Sequence, residues 1–383
     1  MSTLHADRFN GYPTPFFYYD MERLRRTLQS AGTAAAKHDF KLHYALKANA
    51  NPRVLDAVRA AGFGADCVSG NEVKAALAAG FEPRHVVLAG VGKRDDEIQL
   101  ALDQNIFSLN CESVEELEVI DRLAAGSGVT ANVALRLNPN LDANTHRYIT
   151  TGLEENKFGI GLWQLDDALN QATMCTSVNL TGLHFHIGSQ ITDLAVFKSL
   201  CIKVNEVLRR VREKGIALQH LNLGGGLGVD YHQPDADPDF ESYFALFRRF
   251  IETEPRVEIH FEPGRALVAQ SGTLVSRVLY VKQGAAHRFA IVDAGMTELL
   301  RPALYQSYHA IENLTNPSGT LSPYDVVGPV CESSDCFGRA VMLPEVKRGH
   351  LLVVRSAGAY GESMALRYNL RDVAPAFFSD ALA

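Results

Sequence analysis

Residues 43–51 read His-Tyr-Ala-Leu-Lys-Ala-Asn-Ala-Asn, a short apolar run that ends in Lys47 and gives way at once to small and amide residues. This pattern predicts a lysine at the C-terminal end of a strand, with its aliphatic stem packed and its amine facing a cleft. Partial burial disfavours an ammonium ion, so an amine in this setting is suited to forming a Schiff base. A surface lysine at the end of a strand would show the same local pattern, so the rest of the chain has to decide between the two.

The composition and charge of the chain argue against several classes of protein. Of its 383 residues, 46% are hydrophobic and 21% are charged, as in a globular protein of two domains or one large barrel with an addition. The net charge of −7 and the lack of a dense Lys/Arg run argue against a nucleic-acid partner. The N-terminus is charged without an apolar segment, and no apolar run approaches the length of a membrane span, so we expect neither a secretory signal nor a membrane segment.

The cysteines indicate a reducing compartment. All six are scattered and none forms a CxxC pair, so we expect reduced thiols and a cytoplasmic protein. They are Cys67, Cys111, Cys175, Cys201, Cys331 and Cys336.

A repeat of short apolar strand, turn and amphipathic helix begins after residue 40. Eight strands alternating with helices predict an α/β fold, a closed (β/α)₈ TIM-like barrel. A doubly wound open sheet is the alternative, but it normally has a Gly-rich turn after its first strand, where this chain has Ala-Asn-Ala-Asn-Pro at 48–52. The barrel is therefore favoured. Its predicted strands are 43–47, 64–68, 85–89, 106–110, 133–138, 183–187, 220–223 and 258–262.

After Arg265 this alternation stops, and the segments 274–282, 288–293, 339–343 and 351–356 are β-rich. We therefore predict a barrel at 21–265 and a β-rich C-terminal domain at 266–383. An early strand at Phe16–Tyr19, within residues 1–20, could complete the β-domain. The segment 138–162 is longer and more irregular than the other connections, as a functional loop would be.

Polar and glycine residues follow nearly every predicted barrel strand, at the ends where (β/α)₈ barrels gather their chemistry. Gly224, Gly225 and Gly226 follow a strand, and residues without side chains let backbone N–H groups approach a phosphate closely. A lysine together with a phosphate-binding loop points to pyridoxal 5′-phosphate. That cofactor needs a carboxylate to keep its ring nitrogen protonated, and Glu262 is well placed for this task.

Three further residues are open to two interpretations. His186 could lie flat against a cofactor ring, although a histidine in an apolar strand is more often a core residue. His184 and His186 share one face of the predicted strand, which also suggests metal ligation, but a third ligand at suitable spacing is missing and we expect no metal. Cysteines are usually buried, yet Cys331 stands beside Glu332 among polar residues, which suits an exposed, proton-transferring thiol.

Seven motifs in one order carry a resemblance to a known family. The chain resembles the fold-type III pyridoxal-phosphate decarboxylases, and within them the diaminopimelate decarboxylase family, from Phe16 to about Asn369. The motifs lie at 44–49, 184–190, 224–228, 262–265, 301–305, 328–333 and 368–369. The chain departs from the family pattern at Ala365, where a small polar residue is usual, and at 372–378, where an arginine-and-proline segment is usual.

The resemblance implies decarboxylation of meso-2,6-diaminopimelate to L-lysine and CO₂, the last step of lysine biosynthesis. It implies that Lys47 holds the cofactor covalently, that His186 stacks on its ring and that Glu262 pairs with the ring nitrogen. Further cofactor-binding residues, most of them near the phosphate, would be Asp66, Ser189, Gly224, Gly225, Gly226, Gly264, Arg265 and Tyr368.

The resemblance also implies how the substrate is bound and where protons come from. Cys331 would be the general acid that reprotonates the α-carbon, and Glu332 would bind the distal ammonium group. The family works as a homodimer with shared active sites, so both residues would come from the partner subunit. The distal carboxylate would be bound by Arg265, Arg301 and Tyr305, with Tyr368 as a further substrate contact.

Three other functions stay open at this point. A related decarboxylase could act on D-ornithine, D-lysine or carboxynorspermidine, although the motif at 301–305 favours a substrate with a distal carboxylate. An alanine-racemase-like enzyme would need a tyrosine as its second base, where this chain has Cys331 and Glu332. A cofactor-carrying barrel without catalysis could omit the β-domain, so the residues after Arg265 count against it.

Overall fold

The structure is a computed structural model of the chain, and it describes residues 5–9, 11–141 and 156–381. Most of the irregular loop predicted at 138–162 therefore lies outside the described residues. Contacts divide the chain into two units. The barrel unit comprises Thr27–Gly228 and Pro238–Arg265, and the β-unit comprises Met1–Arg26, Val229–Asp237 and Ala266–Ala383.

Strands and α-helices alternate through the first two thirds of the chain, and strands predominate in the last third. The strands are β1 (Phe16–Tyr19), β2 (Lys41–Ala45), β3 (Gly64–Cys67), β4 (Val86–Leu88), β5 (Ser108–Cys111), β6 (Ala131–Asn138), β7 (Ile160–Gly161), β8 (Val178–Phe185), β9 (His220–Asn222), β10 (Glu258–Phe261), β11 (Gly272–Gln283), β12 (Arg288–Val292), β13 (Ile311–Asn313), β14 (Ser322–Val327), β15 (Cys336–Leu343), β16 (Leu351–Val354) and β17 (Ala376–Phe378). The α-helices are α1 (Met21–Ala36), α2 (Pro52–Ala60), α3 (Gly70–Ala78), α4 (Asp95–Asp103), α5 (Val114–Ser127), α6 (Leu165–Met174), α7 (Leu194–Glu213), α8 (Phe240–Phe250), α9 (Arg265–Val268) and α10 (Arg301–Tyr305). None of these helices is both long and apolar enough to cross a membrane.

Eight parallel strands of the barrel unit close into a ring. Their order is β5-β4-β3-β2-β10-β9-β8-β6, and pairing between β5 and β6 completes the circle. Closure leaves no free edge, which distinguishes this sheet from a doubly wound one. The predicted (β/α)₈ barrel is confirmed.

Several of the barrel helices are capped at their N-termini by polar side chains. Asn51 caps α2, whose first residue is Pro52, and serines cap α3 and α5 at Ser69 and Ser113. Asp239 caps α8 in the same way. A side-chain oxygen at this position accepts a backbone N–H that the helix itself cannot satisfy. The caps therefore set where each helix starts after its loop.

The prediction that Lys47 lies on a strand is wrong in detail. β2 ends at Ala45, and Lys47 lies in a 3₁₀ turn at Leu46–Ala48. Pairing between β2 and β3 stops at Ala45, so no neighbour extends the strand. The turn is fixed instead by the Tyr44 hydroxyl, which donates to the Asn49 carbonyl at 2.9 Å. Lys47 still follows its strand directly, at the end where barrel enzymes place their chemistry.

Aromatic side chains fill the contact between α8 and the outside of the barrel. The rings of Phe40, Phe244 and Phe247 lie 4.8–5.1 Å from that of Phe261 on β10, mostly edge to face. All four side chains are buried. Burial of each phenyl ring contributes roughly 2 kcal/mol, so this cluster fixes α8 against β10 just before Glu262.

The β-unit is built on a mostly antiparallel sheet in the order β13-β16-β11-β12-β14-β15. Pairing between β12 and β14 is parallel, and the other pairs of this path are antiparallel. The early strand β1 pairs with β11 in antiparallel register, and β17 adds beside β1 in parallel register. Phe9, Phe16, Tyr18, Val275 and Val353 form part of its hydrophobic core.

Candidate active site

Lys47 and Asp66 lie close together at the C-terminal ends of β2 and β3. The Lys47 nitrogen is 3.7 Å from Asp66 Oδ2. Asp66 is 1% exposed, and neither of its carboxylate oxygens has a hydrogen-bond donor among the described residues. Burial and then the charge of Glu262 raise the pKa of Asp66 well above its usual range, while the charge of Lys47 opposes this shift. A buried carboxyl group of this kind is suited to a polar group from a bound molecule.

The carboxylate of Glu262 is held by three side chains inside the barrel. Its Oε2 lies 2.9 Å from His184 Nε2. Its Oε1 accepts hydrogen bonds from Asn222 Nδ2 at 2.7 Å and from Asn110 Nδ2 at 3.3 Å. These partners come from β8, β9 and β5, and Glu262 directly follows β10. Closure of the barrel is therefore what assembles the group.

Glu262 and Asp66 are both buried, but their surroundings shift their pKa values in opposite directions. Burial acts to raise the pKa of Glu262, because it penalises a charge. The charge and hydrogen bond of His184 outweigh burial, with help from Lys47, and the pKa of Glu262 lies well below its usual range. Glu262 is thus an anion at neutral pH, whereas Asp66 is driven towards its neutral form. Two carboxyl groups treated so differently are expected to have different tasks.

The loop Gly224, Gly225 and Gly226 lies where side chains cannot be accommodated. A Cβ at Gly224 would come within 2.4 Å of the Phe185 carbonyl, and one at Gly225 within 2.2 Å of the Glu262 carbonyl. Gly224 and Gly226 also have positive φ angles of 66° and 109°. Only glycine fits these requirements, and the loop leaves bare backbone beside Glu262. The next α-helix begins only at Phe240, so no helix N-terminus directly follows the loop.

His186 lies against the glycine loop just beyond β8. Its Nδ1 accepts a hydrogen bond from the Gly225 N–H at 3.2 Å, so the ring proton of the neutral form is on Nε2. Burial, followed by the charges of Lys47 and Arg136, lowers the pKa of His186 well below its usual range. The imidazole is therefore neutral and its orientation is fixed by the loop.

Arg265 and Gly264 are the remaining predicted site residues of the barrel unit. The guanidinium of Arg265 donates to Ser189 Oγ from Nε at 3.2 Å and from Nη2 at 3.0 Å. A Cβ at Gly264 would lie 3.1 Å from Ala45 Cβ and 3.2 Å from Ala48 Cβ, which flank Lys47. Gly264 thus allows the chain after Glu262 to pack closely on the Lys47 turn.

In the β-unit, Arg301 is buried at the start of α10. Its Nη1 donates to the Tyr231 hydroxyl and lies equally close to His309 Nε2, both at 2.8 Å, and its guanidinium lies 4.8 Å from the centre of the Tyr231 ring. His309 Nδ1 lies 2.8 Å from the Arg355 carbonyl. Because only a protonated Nδ1 can donate there, Nε2 is the acceptor for Arg301. Tyr305, at the other end of α10, is half-buried.

Cys331 and Glu332 lie on an exposed loop of the same unit. Both side chains are exposed. The Tyr368 hydroxyl donates to Glu332 Oε1 at 2.7 Å, and the Ser334 hydroxyl donates to Oε2 at 3.2 Å. The predicted exposed thiol is thus in place beside an oriented carboxylate.

The structure divides the predicted site residues into two sets, one in each unit. The barrel set is Lys47, Asp66, His186, Ser189, Gly224, Gly225, Gly226, Glu262, Gly264 and Arg265; the β-unit set is Arg301, Tyr305, Cys331, Glu332 and Tyr368. Sequence analysis missed the part played by Asn222, although its position two residues before the glycine loop, at a strand end, was a signal. Across the described ranges, His, Cys, Asp and Glu side chains form no group of three or more that could hold a metal ion.

Comparison with known proteins identifies the family. The profile described as "Pyridoxal-dependent decarboxylase, pyridoxal binding domain" matches residues 21–269. The chain is 52% identical over 379 residues to the diaminopimelate decarboxylase of Bacteroides thetaiotaomicron, and the match covers 98% of each protein. The chain belongs to the diaminopimelate decarboxylase family. The resemblance in its motifs is thereby confirmed, as is pyridoxal phosphate as the cofactor.

Solved structures of this family agree with the fold. The diaminopimelate decarboxylase of Helicobacter pylori complexed with L-lysine superposes with a TM-score of 0.92 at 40% identity, covering 97% of this chain and 93% of that one. The enzyme of M. jannaschii in co-complex with L-lysine gives a TM-score of 0.90 at 33% identity, covering 98% and 89%. The barrel and the β-rich domain are thus features of the family.

The barrel set fits pyridoxal phosphate. An anionic carboxylate at Glu262 suits a pyridinium nitrogen, an amine at Lys47 suits an aldehyde, and the bare glycine loop suits a phosphate. The buried acceptor oxygens of Asp66 lie beside that amine. The donor and acceptor groups of the barrel set therefore match the cofactor that the family binds.

Proposed function

We propose that this chain decarboxylates meso-2,6-diaminopimelate to L-lysine and CO₂ with the help of pyridoxal phosphate. The observation that carries the reaction type is the anionic Glu262, held by His184 at 2.9 Å in the same end of the barrel as Lys47. The choice of substrate rests on the full-length similarity to diaminopimelate decarboxylases. The bound cofactor supplies an electron sink for the pair left behind when the carboxylate departs as CO₂.

Glu262 and Lys47 have separate tasks in the proposed mechanism. Glu262 would keep the ring nitrogen of the cofactor protonated, because a buried anion at that nitrogen would favour its protonated form. Lys47 is the attachment point, and the Asp66 carboxyl group 3.7 Å away orients its amine. The neutral, loop-fixed His186 would stack on the ring without adding a positive charge.

The remaining barrel residues bind the phosphate. Backbone at Gly224, Gly225 and Gly226 would let the phosphate approach closely, and the Ser189 hydroxyl, oriented by Arg265, would donate to it. Gly264 allows the chain after Glu262 to pack closely on the turn that carries Lys47.

The β-unit residues act on the substrate. Arg301 and Tyr305 bind the distal carboxylate, and Glu332, oriented by Tyr368, binds the distal ammonium group through a charge-assisted hydrogen bond. Cys331 donates its thiol proton to the α-carbon after CO₂ has left. The exposure of the thiol supports a role in proton transfer.

We further propose that two copies of the chain form the active unit, with Cys331 and Glu332 of each copy serving its partner. Their exposure, and that of Leu370 at 95%, supports a surface that is covered in the dimer. A cytoplasmic location is proposed on the basis of the six free cysteines.

A substrate panel tests this function. Purified protein with pyridoxal phosphate is given meso-diaminopimelate, D-ornithine or D-lysine, and amine products and CO₂ are quantified. We expect lysine and CO₂ in equal amounts from meso-diaminopimelate, with far slower turnover of the other two, which lack the distal carboxylate. Preferred formation of putrescine or cadaverine would replace this proposal with the related diamino-acid decarboxylase.

A further inference from the structure

Asp335 is a buried carboxylate at the end of the loop that carries Cys331. It is 4% exposed, although the loop residues before it are exposed. Its Oδ1 accepts the Met296 N–H at 2.6 Å, and its Oδ2 accepts the Val330 N–H at 2.7 Å. Each oxygen therefore holds a different stretch of backbone, and one of these stretches directly precedes the thiol.

Backbone hydrogen bonds close the same loop. The Gly328 N–H donates to the Asp335 carbonyl at 3.1 Å, and the Asp335 N–H donates to the Glu332 carbonyl at 3.1 Å. The Glu332 N–H in turn donates to the Val330 carbonyl at 2.8 Å. Cys331 thus lies in the exposed part of a loop that Asp335 anchors through the Val330 and Gly328 N–H groups and the Glu332 carbonyl.

Two glycines make room for this carboxylate. A Cβ at Gly328 would lie 2.4 Å from Asp335 Oδ2, and a Cβ at Gly295 would lie 2.8 Å from both oxygens. A longer side chain at 335 would meet the same backbone. The site is therefore shaped for a carboxylate of this length that accepts on both sides.

We propose that Asp335 is a positioning residue that fixes the Cys331 thiol for proton delivery. The inference rests on the proposed role of Cys331 as proton donor. A thiol on an unanchored loop would populate many positions, and a proton donor needs a fixed distance to the carbon that it protonates. Asp335 restrains the loop by accepting the N–H of Val330, the residue before Cys331. The Met296 N–H holds the other oxygen of the carboxylate and so connects it to a second segment.

The replacement Asp335→Asn distinguishes positioning from general stability. Asparagine has almost the same shape but only one acceptor oxygen, so its NH₂ group would oppose one of the two backbone N–H groups. We expect kcat to fall by about ten-fold or more while the cofactor absorbance changes little, since the barrel set is untouched. The matched control is Ser333→Ala, on the exposed part of the same loop, which should behave as wild type.

A double-mutant cycle with Cys331→Ala is the decisive comparison. If Asp335 acts through the thiol, adding Asp335→Asn to Cys331→Ala lowers kcat by less than about two-fold further. An equal loss in both backgrounds, or an unchanged kcat for Asp335→Asn alone, would overturn the proposal.

Hydrogen exchange in the wild type tests the same anchor without any variant, and applies if Asp335→Asn does not fold. The Val330 amide should exchange at least about 100-fold more slowly than the Ser333 amide of the same loop, because its N–H is bonded to a buried acceptor. Equal exchange of the two amides would contradict the proposal. If wild-type protein releases no lysine, the proposed function fails, whereas this measurement still decides whether the anchor exists.

Discussion

The carboxylate of Glu262 lies 2.9 Å from the imidazole of His184, and this pair keeps a buried acid ionised inside the barrel. Glu262 is only 5% exposed, so burial alone would favour its neutral form. The charge and hydrogen bond of His184, with help from the charge of Lys47, reverse that preference. A fixed negative charge at this position is the basis of the proposed role towards the cofactor ring nitrogen.

Glu262→Gln removes that charge with little change in shape. We expect kcat to fall by about 100-fold or more, because a neutral amide no longer favours a protonated ring nitrogen. Cofactor content, measured from absorbance, should stay close to that of wild type. The control is Glu258→Gln at the exposed start of the same strand, which should leave kcat unchanged. A wild-type kcat for Glu262→Gln would show that the negative charge of Glu262 has no role in the reaction.

Gly225→Ala places a methyl group against the Glu262 carbonyl, 2.2 Å away. Relieving this clash moves the loop, with strain of roughly 1–3 kcal/mol. We therefore expect the Kd for pyridoxal phosphate, measured by fluorescence titration, to rise about ten-fold or more. Gly126→Ala, where a Cβ meets nothing within 4 Å, is the matched control and should leave the Kd as in wild type. Equal affinities for all three proteins would mean that the loop does not contact the cofactor.

Tyr231→Phe keeps the ring under Arg301 and removes the hydroxyl that accepts its hydrogen bond at 2.8 Å. A hydrogen bond to a charged group contributes about 1.5–3 kcal/mol, so Arg301 should be less well oriented. We predict that KM for meso-diaminopimelate rises about ten-fold with kcat nearly unchanged. Steady-state kinetics of Tyr308→Phe, on an exposed tyrosine, provide the control. A drop in kcat at constant KM would show that Arg301 acts on the reaction rather than on binding.

Acid should destabilise the barrel through two buried histidines, His43 on β2 and His220 at the start of β9. Burial lowers the pKa of His43 to about 4 and, with the charge of His43, that of His220 to about 3, whereas the ordinary value is 6.5. Below pH 6.5 the unfolded chain therefore binds more protons than the native chain. The free energy of unfolding should fall by about 1.4 kcal/mol per pH unit for each histidine as pH drops towards these values.

His220→Leu tests this linkage by urea unfolding between about pH 7 and pH 5. The variant loses one titrating group, so its free energy of unfolding should decline less steeply with acid than that of wild type. His232→Gln, at an exposed position, should keep the wild-type slope. Identical slopes for His220→Leu and wild type would show that protonation of His220 does not limit stability.

Much of the barrel could be predicted from the sequence, because its strands and helices each carry a local pattern. The predicted strands at 64–68 and 258–262 lie within one residue of β3 and β10. The start of β8 at Val178 was missed, since its first residues, Val-Asn-Leu-Thr, interleave apolar and polar side chains and give no apolar run. The end of β2 was placed two residues too late, because the stop depends on pairing with β3 rather than on residue type.

The positions of the candidate site residues followed from the strand ends, but their partners did not. Tyr231 and Arg301 are hydrogen-bonded although they lie 70 positions apart in the sequence, and Asn110 and Glu262 although they lie 152 positions apart. The Asn110–Glu262 pair is created by the closing of the barrel and the Tyr231–Arg301 pair by packing within the β-unit, and no local pattern encodes either. The two N–H groups held by Asp335 are likewise visible only in three dimensions.

The most direct test of the proposed function is lysine release from meso-diaminopimelate. It is measured for wild type, Lys47→Ala and Lys37→Ala, each supplied with pyridoxal phosphate. Lys37 is an exposed lysine paired with Glu241 and serves as the control. We predict turnover by wild type and Lys37→Ala, and a loss of at least about 1,000-fold in Lys47→Ala. Comparable turnover by Lys47→Ala would contradict the role of Lys47, and no lysine from any of the three proteins would contradict the proposed function.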